Sequence, residues 1–135
     1  MANALYELGR QGFLDGSIDW DTNDIKVFLI DTADYTVNLT TDSVITSITA
    51  AARVATSGNL ASKTVAYGVA DALDITFSAV TGDPSEALVI YQDTGAASTS
   101  RLIAYIDSAT GLPVTPNGGD IVVSWDSGSN RIFRL

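Results

Sequence analysis

The chemistry open to this chain rests on its aspartates and its aromatic rings. Asp19-Trp20-Asp21-Thr22-Asn23-Asp24 sets oxygen ligands at alternate positions, as at the start of a calcium loop. The pattern stops there. The sixth position, where such a loop turns on glycine, is Asp24, and the twelfth, which needs a bidentate glutamate, is Ile30. Beyond Asp24 the chain enters a strand, so a solvated turn with local Asx hydrogen bonds is expected. Asp71 with Asp74, or Asp31 with Asp34, would be candidate carboxylate pairs for glycoside hydrolysis. Closeness in sequence does not set a spacing across a cleft, and no glutamate stands where the acid would be needed. The residues therefore predict no catalytic site, no metal and no cofactor, and a protein that is not an enzyme. Trp20 and Trp125, with Tyr35, Tyr67, Tyr91 and Tyr105, could stack on sugars, or could fill a core or a subunit contact. Tyr91 and Tyr105 fall in adjacent predicted strands and are expected to form a cross-strand pair.

Composition narrows the classes further. The chain has 135 residues, 46% of them hydrophobic, enough for one domain with a real core. It contains no cysteine and no histidine, which removes thiol nucleophiles, disulfides, zinc sites built on those residues and imidazole-based triads. The net charge of −9 repels phosphate backbones and anionic membranes, so neither nucleic acid nor membrane is an expected partner. The acids are almost all Asp, with only Glu7 and Glu86 as glutamates, which places the charge in turns and at strand ends. No basic segment followed by an apolar run opens the sequence, and no apolar stretch approaches the roughly 20 residues of a membrane span. Synthesis in a cytoplasm is expected, with exit only as part of a larger particle. Without a secretory signal, the sequon Asn38-Leu39-Thr40 is read as chance.

The elements that must position these residues are mostly strands. Ala87–Tyr91, Leu102–Ile106, Ile121–Trp125 and Ile132–Leu135 are apolar runs separated by Gly-containing turns, the rhythm of an antiparallel meander. Asp24–Asp31 is a nearly continuous apolar run, a strand covered on both faces, with the N-terminal helix as a candidate cover for one of them. Leu73–Val80 alternates as a half-buried strand, and Ala52–Ala66 reads as two strands around Ser57-Gly58-Asn59. Tyr35, Val37 and Leu39 suggest an extended segment, and Asp42–Ile48 a short helix. Ala2–Asp15 is the main helix candidate: Asn3 could cap it, Glu7 lies in its first turns, and Gly16 ends it. Gly9 and Gly12 weaken it by about 1 kcal/mol each. It should dock on a sheet or on a neighbouring subunit. The sum is mainly β: a single antiparallel β-sandwich or jelly-roll-like domain over residues 1–135, with a short helix within 1–16.

Taken in order, the segments resemble a family of small tailed-bacteriophage virion proteins. The likeness runs from the N-terminal helix through Gly16-Ser17-Ile18-Asp19 and Asp24-Ile25-Lys26-Val27 to Ala52-Arg53-Val54-Ala55-Thr56-Ser57. It continues through Phe77-Ser78-Ala79-Val80-Thr81-Gly82, Ala87-Leu88-Val89-Ile90-Tyr91 and Leu102-Ile103-Ala104-Tyr105-Ile106-Asp107. It closes with Gly111-Leu112-Pro113-Val114-Thr115-Pro116-Asn117-Gly118-Gly119-Asp120, Trp125-Asp126 and Arg131-Ile132-Phe133. The resemblance implies a particle component without catalytic residues: a capsid cement or decoration protein made in the bacterial cytoplasm and carried on the outside of the shell. The implied partners are the major capsid protein or other virion proteins, and further copies of the chain in a symmetric oligomer such as a trimer. Tyr6 and Phe13 on the helix are the first contact candidates, with packing on their own sheet as the competing expectation. Trp20, Pro113 and Pro116 complete the set, the prolines lying in a loop that is either a rigid connection or a preformed tip. Two other readings stand beside this one: a neck or tail connector, and a carbohydrate-binding host-recognition module.

Overall fold

The computed structural model of the chain describes residues 3–129 and 131–135. Strand β1 (Ala4–Leu5) leads into helix α1 (Glu7–Asp15), followed by β2 (Ile25–Ile30), β3 (Arg53–Thr56), β4 (Thr64–Ala66), β5 (Val69–Asp71) and β6 (Ile75–Phe77). Then come β7 (Ala87–Gln92), β8 (Leu102–Ile106), β9 (Ile121–Val123) and β10 (Phe133–Arg134). All pairings among these strands are antiparallel. A five-stranded sheet has the order β1-β8-β7-β2-β3, a three-stranded sheet β10-β5-β4, and β6 pairs with β9 as a ribbon. The result is the mainly β, sandwich-like fold that the patterning predicts.

Strand β2 shows why the large sheet is central. Its residues are β-branched or apolar apart from Lys26, and it carries neither Gly nor Pro, so it suits a strand hydrogen-bonded on both sides. Ile25, Val27 and Leu29 point to one face and join Leu88, Ile90 and Ile103 in a core that the two small sheets close through Ala70 and Phe77, together with Trp20 from the turn before β2. Phe28 and Ile30 point to the other face and join Val89, Tyr91, Leu102 and Tyr105. This second face is covered by Tyr35, Ile45, Ile48 and Ala52, together with Tyr6. The segment between β2 and β3 is thus the cover, rather than helix α1 as expected. It holds two single 3-10 turns, Ile45–Ser47 and Ala50–Ala52, in place of the predicted helix over Asp42–Ile48. Its threonines and serines favour local side-chain hydrogen bonds over a continued helical ladder.

The helix also begins later than predicted. Ala4 and Leu5 are extended and pair with Tyr105 and Ala104, and Tyr6 is the residue that caps α1. Asn3 is used elsewhere: its Oδ1 accepts from the amides of Asp107 (2.9 Å) and Ser108 (3.0 Å). Glu7 does occupy the first turn, and Gly16 ends the helix at φ 80°, as expected. Helix α1 docks on β8 through Gly9 and packs on Ile18, just beyond its own end, through Gly12. A Cβ on Gly9 would lie 2.7 Å from the carbonyl oxygen of Leu102, and one on Gly12 would lie 2.5 Å from Ile18 Cδ1. Residues that cost helix propensity therefore permit the close approach that holds the helix down.

The C-terminal third is not a meander. β7 and β8 pair as neighbours, but β9 reaches back to β6 and β10 to β5. Apolar rhythm marks strands and turns, yet partner choice depends on which faces remain uncovered. Here the large sheet already buries both of its faces, and the last two strands extend the layer that closes on it.

Candidate functional site

Two of the predicted contact residues lie inside the protein. Tyr6 is fully buried, and its hydroxyl lies 2.9 Å from that of Tyr35, which donates to Asp42 Oδ2 at 2.6 Å. Burial pushes both phenols well above the ordinary tyrosine range, and at Tyr35 the hydrogen bond with Asp42 adds to the effect. Trp20 is 3% exposed, donates through Nε1 to the carbonyl of Asp71 (3.1 Å), and meets Phe133 edge to face with ring centroids 5.1 Å apart. Neither side chain can present itself to a partner or to a sugar. Their size and apolar surroundings place them in the core. Phe13 is half-buried and packs on Phe133 at 5.6 Å, the intramolecular alternative expected for it. Trp125 is half-buried too, with Nε1 donating to Leu73 O at 3.0 Å. Tyr91 faces Leu102 across the strand pair and stacks on Phe28 at 4.3 Å, while Tyr105 sits against Tyr35. The predicted Tyr91–Tyr105 pair is thus replaced by two pairs with other rings.

Pro113 is exposed and Pro116 half-buried. Their loop is tied back to the segment after β6 by Val114 with Ser85 (2.8 and 2.9 Å) and by Gly118 N to Val80 O (2.7 Å). The Asp19–Asp24 turn is closed on itself, with Asp19 N donating to Asn23 Oδ1 (2.7 Å) and Asn23 N to Asp19 O (2.9 Å). Gln92 Nε2 donates to the same Asn23 oxygen at 2.7 Å, so protein donors occupy an atom that a calcium loop would offer to the ion. Asp74 Oδ1 accepts the Trp125 amide at 2.9 Å, a structural bond. Asp31 and Asp34 do come together, joined by Asp83, with one carboxylate oxygen of each lying within 4.8 Å of the others. Asp31 is buried and its Oδ1 accepts the Ala33 amide at 2.9 Å.

The surface with unused binding capacity is the three-stranded sheet. β4 and β5 are joined by Tyr67-Gly68, both at positive φ (51° and 78°), with Ala66 paired to Val69 on either side. This is the geometry of a type I′ hairpin, which favours Asn-Gly and accepts Tyr only under strain. Tyr67 is 97% exposed at the tip. Register then sorts the faces. Phe133, Ala70 and Val65 share the inner face toward Phe13 and Trp20, and Arg134, Val69 and Ala66 share the outer one. At the rim of the inner face Val65 and Leu135 remain more than half exposed, next to the helix end where Leu14 is 88% exposed. The strand edge of β4 is free among the described residues. Sequence reasoning places Tyr67 among the rings open to stacking, core or subunit contact, but not in a hairpin at this position. Tyr is not a turn residue, and Gly68 alone marks the hairpin only weakly.

No protein-family model matches the chain, and no curated protein matches it. Among the described residues, no helix is long and apolar enough to cross a membrane.

Proposed function

We propose that this chain is a structural subunit that acts by adhesion: a component of a tailed-phage virion, carried on the capsid exterior as a decoration or cement protein. The observation that carries the reading is the display of Tyr67, a large aromatic held almost fully in solvent on a strained two-residue turn. Strain at an exposed position is retained where a contact gives it a use. Val65 and Leu135, both more than half exposed, line one hollow of the same sheet and extend its apolar rim, and clustered exposed apolar groups mark interaction surfaces. The resemblance of the sequence segments to small phage virion proteins supports the particle setting. Many copies, each bound weakly to the major capsid protein or to one another, would hold a shell together by multivalency.

Quantitative mass spectrometry and cryo-EM of the particles carrying this chain test the proposal. Hundreds of copies on the outer shell are expected. About 6 or 12 copies, the number closed symmetry gives a ring, would move it to the neck or tail. Its absence from mature particles would overturn the proposal.

A further inference from the structure

The distribution of cations shows what kind of partner the three-stranded sheet accepts. The chain has seven basic residues against 16 acidic ones. Lys26, Arg53, Lys63 and Arg101 are half-buried and engaged within the fold. Lys26 pairs with Asp93 at 2.6 Å, Lys63 donates to Asn23 O at 2.5 Å, Arg53 lies 5.9 Å over the Phe28 ring, and Arg101 lies beside Gly12. The three exposed cations are Arg10, Arg131 and Arg134, and they gather along β10. Arg134 and Arg131 line the shallow hollow of about 540 Å³ on the outer face, whose floor is Thr64, Ala66 and Val69. Arg134 and Arg10 line the adjoining hollow between β10 and β1. Among the described residues, the one acid lining either hollow is Asp71, whose carboxylate stands 4.0 Å from Arg131 Nε, a loose pair.

We infer that this strip is the docking site for an acidic peptide segment of a partner protein, its carboxylates received by Arg10, Arg131 and Arg134 and its apolar parts by Tyr67 and Val69. The inference rests on the adhesive reading and names its partner's chemistry. Three guanidiniums in a row are complementary to a carboxylate-bearing strand, since each can take a carboxylate through two parallel hydrogen bonds. A single-stranded nucleic acid is disfavoured, because its bases stack on a series of aromatic platforms and the outer-face hollow offers Tyr67 alone among the described residues. The flat floor of small side chains lets an extended chain lie close to the sheet.

Fluorescence anisotropy with a labelled oligoglutamate peptide at low salt, alongside a labelled oligothymidylate of equal length, tests this on the full chain. Oligoglutamate should bind, shift the amide resonances of residues 64–71 and 131–135, and weaken as salt rises. Arg131→Gln with Arg134→Gln should weaken it by about tenfold or more at an unchanged melting temperature. Arg10→Gln lies on the exposed side of α1, leaves the sheet untouched, and should weaken binding severalfold on its own. Oligoglutamate that fails to bind, that binds the variants as well as the parent, or that binds less tightly than oligothymidylate overturns the inference. Intact oligoglutamate binding by a chain absent from particles would sink the virion proposal and leave the docking chemistry standing.

Discussion

A methyl group at Gly9 would stand 2.7 Å from a backbone oxygen of β8, and that contact decides how the residue behaves. Alanine gains about 1 kcal/mol in helix propensity but forces an overpacked contact costing about 1–3 kcal/mol. Gly9→Ala should therefore destabilise the protein, seen as a lower denaturant midpoint, and a higher midpoint would refute the close-approach account. Trp20→Ala should lose about 3–5 kcal/mol, as for a buried aromatic. A Trp20→Ala protein as stable as the parent would return that ring to the surface. The phenols add a pH dependence. Burial first, and the Asp93 charge second, push Tyr91 up to about 12, and Tyr6, Tyr35 and Tyr105 are raised as well. A raised folded value means that the unfolded chain ionises first. The stabilisation is complete below the ordinary value of about 10 and is lost as pH rises through the folded value. Thermal melts should fall from about pH 10 upward, and the phenolate absorbance of these four side chains should appear together with unfolding rather than before it. Burial of this kind is not written in local sequence. Tyr6 and Trp20 look like any amphipathic aromatic until register and a distant partner, Tyr35 or Phe133, put them inside.

Elements were more legible than their pairings. β2, β7 and β8 stand out because near-continuous apolar runs with β-branched residues have no comfortable place except a doubly covered strand. Of the alternating run Leu73–Val80, only Ile75–Phe77 is a strand: Phe77 is buried and Thr76 exposed as expected, but Leu73 is exposed and Ala79 leaves the strand, exposed, at φ 49°. Helix α1 was legible through Glu7 and Gly16, but its start was not, because pairing of Ala4 and Leu5 with β8 overrides local propensity. β9 and β10 were visible as strands while their partners were misassigned, since a two- or three-residue strand carries too little pattern to select a neighbour. Within the small sheet, the Tyr67-Gly68 turn sets function against stability. Tyr67→Asn suits the positive φ and should raise the stability of the free chain by about 1 kcal/mol. The same substitution removes the displayed ring and should weaken attachment. Phe133→Ala tests the inner face: loss of the contacts to Phe13 and Trp20 should cost about 2 kcal/mol, less than for a fully buried ring. A denaturation curve identical to the parent would show that β10 adds nothing to the core.

At the scale of the whole molecule, the large sheet with its two covered faces acts as a frame, and the three-stranded sheet carries the proposed adhesive surface. Val65→Lys and Leu135→Ser should each leave the melting temperature within about 2 degrees, because surface changes stay within about 0.5 kcal/mol. Together they should abolish retention on particles in a sedimentation assay. Retention at the parent level would place the adhesive surface elsewhere. The candidate enzyme residues illustrate the opposite limit of sequence reading. Proximity suggested Asp71 with Asp74, yet the fold gives Asp74 to the Trp125 amide and leaves Asp71 beside Arg131.

The pairings that join the ends of the chain also set a timetable for its birth. Ala4 and Leu5 wait for Ala104 and Tyr105, Ala70 waits for Phe133, and Phe77 waits for Ile121. On the ribosome, β2 can meet β3 early, but its other neighbour, β7, and the strands that finish the enclosure emerge late. Long-range β pairing of this kind folds in milliseconds to seconds rather than microseconds, with apolar strands uncovered meanwhile. If the chain serves in many copies, as the virion proposal holds, its synthesis would then draw heavily on the chaperones of the cell that makes it.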